Sequence, residues 1–231
     1  MNRIVLPELL DGLPPEAAAA RRSRRDLRRL NAWMSHPRIM SRVLRENIGG
    51  RGGPQIAELG AGDGHFLLTV ARRLNGQWPG TQATLVDRLN AVAPETFEDF
   101  RRAGWRARSE IAEAAAWLRG APGRAHDVLL SNLFLHQFEA EPLREMLRLA
   151  ADAARVVVAL EPRRSWLPRC CGRLLWAIGC GPVTRHDAQI SIRAGFAGRE
   201  ISALWPDQES WRLTERPAGL TSHLFVARRK E

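Results

Sequence analysis

The run Ile56-Ala57-Glu58-Leu59-Gly60-Ala61-Gly62-Asp63-Gly64-His65-Phe66 constrains this chain more than any other stretch. Gln55 to Leu59 reads as a short strand, and three glycines follow within five positions. Phe66, Leu67, Val70, Ala71 and Leu74 then recur at the spacing of one helix face. A strand that passes through a glycine turn straight into a helix is the opening of a strand–helix–strand unit. Glycine suits that turn because it adopts backbone angles that other residues avoid and presents no Cβ to an approaching ligand.

The same beat continues downstream. Ala83 to Val86 predicts a second strand, and Pro94 to Ala103 a helix with proline in its first turn, where the missing N–H is harmless. Trp105 to Arg108 predicts a short edge strand, Ile111 to Leu118 a helix, and Val128 to Phe134 a buried strand. Pro142 to Ala154 reads as a helix. Val156 to Leu160 is almost wholly apolar, as a strand covered by helices on both faces must be. Repeated units of this kind predict an α/β fold, Rossmann-like, with a mostly parallel sheet.

Residues 1–52 form a helical preface, an N-terminal cap to the domain at 53–231. One helix starts near Pro14-Pro15-Glu16 with Ala20, Leu27 and Leu30 on one side. A second runs from about Pro37 to Ile48. Gly49, Gly50, Gly52, Gly53 and Pro54 then stop it. The segment at about 162–190, rich in Arg, Pro, Cys and Gly, breaks the rhythm as a lid-like excursion. Ala188 to Leu204 is helical with a glycine interruption. Trp211 to Glu215 and Leu220 to Ala227 predict an antiparallel hairpin at one sheet edge.

Composition narrows the function classes. With 231 residues, 45% of them hydrophobic, the chain can bury a core unaided. Its longest uncharged stretch, Leu74 to Val86, is too short and too polar for a bilayer span. With Glu8 and Asp11 interrupting any leader pattern, the expectation is a cytoplasmic, unprocessed protein. The net charge is +10, carried by arginine everywhere except Lys230. Spread over the whole chain, this charge is a weak nucleic-acid footprint. The densest patch, from Arg21 to Arg29, is either the solvated face of a helix or a peripheral contact with membrane phosphates. Cys170, Cys171 and Cys180 with His186 lack the paired spacing of a zinc site, and no metal is expected. A monomer and a homodimer are both compatible with this composition.

Two carboxylates define the ligand of the glycine turn. The dinucleotide fingerprint needs glycine at 65, where His65 stands. Glu58 ends its strand beside the ligand, where it would repel a pyrophosphate and attract an ammonium. Asp87 closes the second strand, where a carboxylate can accept both hydroxyls of a ribose. A ligand with a ribose at one end, an ammonium at the other and no phosphate is S-adenosylmethionine.

On these residues the chain resembles the class I S-adenosylmethionine-dependent methyltransferases. Residues 56–64, including Gly60, Ala61 and Gly62, match the family's first motif, and Val86-Asp87-Arg88 resembles the acidic end of its second strand. Leu130 to Phe138 is similar to its fourth-strand motif. The resemblance implies a seven-stranded sheet whose last strand is inserted antiparallel. A narrower likeness, carried by Asn31-Ala32-Trp33-Met34, Glu161 to Ser165 and His186 to Phe196, is to small-molecule methyltransferases found beside type III polyketide synthases in secondary metabolism. Adenine, in this family, is read after the third strand, where Glu110 and Glu113 compete and Ile111 could line the ring.

The chemistry such a resemblance implies is in-line methyl transfer to a small apolar, aromatic or phenolic acceptor, and for a phenol a base must reach the acceptor hydroxyl. An RNA or protein methyltransferase, or a non-catalytic adaptor, is the rival reading. His136, after the fourth strand, and His186, beside Asp187, are the candidate bases. His136 could instead pack beneath the cofactor, and His186 could simply open a helix that Asp187 caps. Asn132 either offers its amide to the methionyl or acceptor end or caps a loop. Arg163 is a candidate for holding an acidic acceptor. Trp33 and Met34 either cover the acceptor or pack helix to sheet.

Overall fold

A computed structural model describes residues 3–49, 52–74, 76–121, 123, 125–166, 168 and 175–230. Cys170 and Cys171, raised above as ligands, lie outside them.

Seven strands form one sheet in the order β3-β2-β1-β4-β5-β7-β6. The strands are β1 (Gln55–Leu59), β2 (Gln82–Asp87), β3 (Arg106–Ile111), β4 (His126–Asn132), β5 (Ala154–Pro162), β6 (Trp211–Ala218) and β7 (Ser222–Arg229). All neighbours are parallel except β7, which runs antiparallel to both β5 and β6. Alternation along the central strands sorts two core layers. Ile56, Val128, Leu130, Val158 and Leu160 face one side, and Ala57, Leu59, Leu129, Val157 and Ala159 the other. That is why the strands read as continuous apolar runs: each face has its own helices to bury.

Helices α2 (His36–Asn47), α3 (His65–Leu74) and α4 (Pro94–Arg102) pack on the first side. Helices α5 (Ala114–Gly120), α6 (Ala140–Ala153) and α8 (Glu200–Leu204) pack on the second. Helices α1 (Ala18–Trp33) and α7 (Pro182–Ala194) pack on each other through a polar seam. Asp26 Oδ2 accepts the Gly181 N–H at 2.8 Å and the Thr184 hydroxyl at 3.1 Å, so α1 supplies the cap for the start of α7. A carboxylate at that end also complements the helix dipole.

The predicted elements appear with shifted ends. β3 begins one residue after Trp105 and runs through Ile111, which pairs with Asp87. α5 therefore starts at Ala114, with the Glu113 side chain accepting the Ala116 N–H at 3.1 Å as its cap. The glycine interruption divides the predicted 188–204 helix into α7 and α8, and α7 starts earlier, at Pro182.

The strand order reverses between β1 and β4, each stepping outward from there. Ligands in sheets of this kind bind outside the carboxyl ends of the strands at that reversal. The register aligns the ends there: Leu59 pairs with Val86 and Ser131, and Asn132 with Leu160.

Candidate active site

A cavity of about 540 Å3 opens over the carboxyl ends of β1, β2 and β4. The glycine turn forms one wall, α1 and α7 the roof, and residues 3–13 cross its far end.

Backbone geometry explains each glycine of the turn. Gly60 has φ +70°, and a Cβ there would lie 2.3 Å from a ring carbon of Phe134. Gly64, at φ +73°, would drive a Cβ to 2.8 Å from Leu85. Gly62, at φ +57°, has open space where its side chain would be, and it lines the cavity. The turn is anchored by the Gly60 and Ala61 N–H groups, which donate to the Val86 carbonyl at 2.9 and 3.1 Å.

Asp87 ties the turn to the second strand. Its Oδ2 accepts the Gly62 N–H at 2.8 Å and its Oδ1 the Leu89 N–H at 2.9 Å. An ionised carboxylate has about four lone-pair sites, so two remain for ribose hydroxyls. Glu58 is 2% exposed, lines the cavity, and its Oε2 has no hydrogen-bond partner among the described residues. Burial first, then the neighbouring Asp63 and Asp87 carboxylates, raise its pKa well above the ordinary value. An orphaned, buried acid beside a sterically open glycine turn fits a cationic ammonium, and Asp87 fits a ribose. The residues present thus suit S-adenosylmethionine. From α1, Arg28 reaches over the turn and pairs with Asp63 at 2.6 Å.

Beyond Asn132 the chain bends sharply, with Leu133 in the left-handed region at φ 57°. Strain of this kind collects at ligand sites. The bend lays Phe134 against Gly60 and opens a 3-10 turn over Leu135–Gln137. Buried Glu161 at the end of β5 holds that turn. Its Oε1 accepts the Phe134 and Leu135 N–H groups at 3.2 and 2.9 Å, and its Oε2 accepts His136 Nδ1–H at 2.8 Å.

His136 is 2% exposed and faces a second carboxylate, with Nε2 3.1 Å from Glu8 Oε1. Burial would push its pKa down, but the hydrogen bonds and charges of Glu161 and Glu8 prevail and raise it to about 9. At neutral pH it is an imidazolium donating from both nitrogens. In this arrangement it has no lone pair with which to take a proton.

The structure brings together at the cavity Glu58, Gly60, Ala61, Gly62, Asp87, Arg88, Asn132, Trp33, Met34 and His136. Arg88 pairs there with Asp11 at 3.6 Å, and Trp33 is 60% exposed at the mouth. Glu110, Ile111, Arg163 and His186 are not among the cavity's lining residues. Glu110 pairs with Arg108 at 3.5 Å along the edge strand, and Ile111 is 60% exposed. At that corner Ala112 and Glu113 line the cavity instead. The backbone of Arg163 bridges Phe196. His186 sits outside, 3.1 Å from Asp187, whose two oxygens accept the Leu9 and Leu10 N–H groups.

Two contributors escaped sequence reading. His36 is fully buried, with Nδ1 2.6 Å from Asn132 Oδ1 and Nε2 2.6 Å from Ser222 Oγ. Burial lowers its pKa to about 4, so it is neutral and orients Asn132, whose Nδ2 donates to Asn31 at 3.0 Å. Glu8 was noted only as an interruption of a leader. No local pattern marks either residue, because their partners lie about a hundred residues or more away. Among the described residues no group of three or more His, Cys, Asp or Glu is placed to hold a metal, and no helix is long and apolar enough to cross a membrane.

No protein-family model matches the sequence, and no curated protein matches it. Solved structures do match by shape. A proposed O-methyltransferase from Nostoc punctiforme superposes with TM-score 0.60 at 15% identity, over 90% of this chain and 60% of that one. An O-methyltransferase family protein from Burkholderia thailandensis gives 0.54 at 20%, over 94% and 63%. The magnesium protoporphyrin IX methyltransferase of Synechocystis, solved with bound S-adenosylmethionine, gives 0.54 at 13%, over 90% and 84%. The chain thus spans less than two thirds of the first two neighbours. Its fold is that of the class I S-adenosylmethionine-dependent methyltransferases.

Proposed function

We propose that this protein transfers a methyl group from S-adenosylmethionine to a small, largely apolar acceptor. The observation that carries the reading is a cavity in which orphaned Glu58, the open Gly62 backbone and Asp87 meet at one end. Trp33, Met34, Leu133 and Phe138 line the same space. The cofactor supplies an electrophilic methyl on a sulfonium. Glu58 would hold its ammonium, Asp87 its ribose, and Ala112 and Glu113 stand where the adenine edge would lie.

The chain's own contribution is placement and exclusion of water. Phe134, fixed against Gly60, and Asn132, fixed by His36 and Asn31, bound the space between cofactor end and acceptor end. Holding a nucleophile in line with a sulfonium methyl is worth several kcal/mol by proximity alone. His136 lines the acceptor end with both of its N–H groups engaged by Glu161 and Glu8, so it reaches an acceptor only where Glu8 gives way. A concave cavity of this size suits a metabolite, aromatic by the tryptophan and phenylalanine lining, better than an RNA or protein segment.

Calorimetry with S-adenosylhomocysteine tests the pocket, with micromolar binding expected. Mass spectrometry of a panel of aromatic acceptors incubated with S-adenosylmethionine should show gain of one methyl. Absence of S-adenosylhomocysteine binding at millimolar ligand would overturn the reading.

A further inference from the structure

Residues 3–13 form a strap that carries a carboxylate into the acceptor end of the cavity. Glu8 Oε1 accepts from His136 Nε2 at 3.1 Å and from the Ser191 hydroxyl, and Glu8 Oε2 accepts from Gln137 Nε2 at 3.2 Å. Three donors from two separate elements thus converge on the two oxygens of one planar anion.

The donors sit on elements that have holds of their own besides the Arg3 contact from the strap. His136 and Gln137 belong to the 3-10 turn that Glu161 holds from below, and Ser191 belongs to α7. The strap, in contrast, is attached by polar contacts. Leu9 and Leu10 N–H groups donate to Asp187 at 2.8 and 3.0 Å, Ile4 N–H to the Arg193 carbonyl at 3.3 Å, and Arg3 to the Ala194 and His136 carbonyls at 2.7 and 2.8 Å. Of its apolar side chains Ile4, Leu6 and Leu9 are exposed and Val5, Leu10 and Leu13 are only partly buried. A segment that buries little apolar surface and hangs on hydrogen bonds opens at small free-energy cost. When it opens, the His136 imidazolium, Gln137 amide and Ser191 hydroxyl are left facing the cavity without their anion.

We infer that this cradle is the subsite for a carboxylate on the methyl acceptor, and that Glu8 fills it as an internal stand-in which the acceptor displaces. The inference rests on the methyltransferase reading only for the word acceptor. An entering carboxylate restores the arrangement Glu8 makes, with charge-assisted bonds that a neutral group cannot form. Asp11 and Asp187 also line the cavity and disfavour a dianionic phosphate there.

Benzoate and its neutral counterpart benzamide are the probes, used on the full chain with and without S-adenosylhomocysteine. By calorimetry, benzoate should bind wild type at least tenfold more tightly than benzamide. Glu8→Ala should tighten benzoate about tenfold again and leave benzamide unchanged, and Ser191→Ala in that background should reverse most of the gain. Because Glu8→Ala could impair folding, hydrogen exchange on wild type gives an independent readout. Benzoate at saturation should accelerate exchange at Ile4, Leu9 and Leu10, and benzamide should not. Equal affinity for the two probes, or benzoate binding that leaves strap exchange unchanged, overturns the subsite. If S-adenosylhomocysteine fails to bind while benzoate still frees the strap, the subsite stands and the methyltransferase reading falls.

Discussion

Glu58 shows how a single side chain couples ligand and proton. Burial and two neighbouring carboxylates oppose its charge and raise its pKa well above the ordinary carboxylate value. An ammonium placed against Oε2 reverses that balance, so cofactor binding should release a proton. Calorimetry of S-adenosylhomocysteine in buffers of different ionisation enthalpy should give buffer-dependent heats corresponding to net proton release, and buffer-independent heats would remove Glu58 from the ammonium site. Glu58→Gln keeps the shape without the charge, and its affinity for the same ligand should fall tenfold or more, about 1.4 kcal/mol. Gly60→Ala is a harsher change. It combines a Cβ 2.3 Å from Phe134 with φ +70°, and should cost about 2–4 kcal/mol in urea unfolding. Glu58, Gly60 and Asp87 were legible in the sequence because a local strand–turn–helix pattern places them. His36 was not, because a buried neutral histidine bonded to Asn132 and Ser222 looks in sequence like any helix-start residue.

At the scale of elements, α1 has a polar side that the sequence disguised. Apolar spacing marked Ala20, Leu27 and Leu30 as its inner face, yet Ser23 and Asp26 are buried beside Ala20 and Leu30. The reason is the partner: the inner face meets the start of α7, whose free N–H groups need acceptors. Asp26→Ala should therefore destabilise the α1–α7 roof by about 1–3 kcal/mol, seen as a lowered thermal midpoint and faster hydrogen exchange at Gly181. The arginines of α1 have structural uses as well. Arg28 closes on Asp63, and Arg22 and Arg29 donate to the Gly179 and Ile178 carbonyls. The edge strand β3 was legible in place but not in length. Its last residues pair with β2, and no local signal announces where an edge strand stops.

For the whole molecule, two buried histidines frame the pH range of stability. His36 has a folded pKa of about 4, so as pH falls below about 6.5 the unfolded chain takes a proton that the folded one refuses, and stability is lost down to about pH 4. His136 has a folded pKa of about 9, so its contribution is complete below about 6.5 and disappears as pH rises through 9. Each amounts to about 3 kcal/mol. Urea midpoints measured from pH 3.5 to 10 should fall on both sides, with His36→Asn flattening the acid limb and His136→Gln the alkaline limb. Limbs unchanged by these substitutions would show that the histidines titrate alike in both states.

By itself the sequence determined the alternation of strands and helices, the glycine turn and the two carboxylates at its ends. Each is a short-range pattern imposed by backbone geometry and by the need to bury one or both faces of an element. The tertiary structure alone decided the surroundings of the histidines. In sequence His136 reads as a candidate base, and in the fold Glu161 and Glu8 converge on it from distant parts of the chain and raise its pKa to about 9. His186 stays half-exposed outside the cavity, and it is its neighbour Asp187 that turns inward and anchors the strap. Protonation state depends on burial and on charges within a few ångströms, and only folding sets those distances.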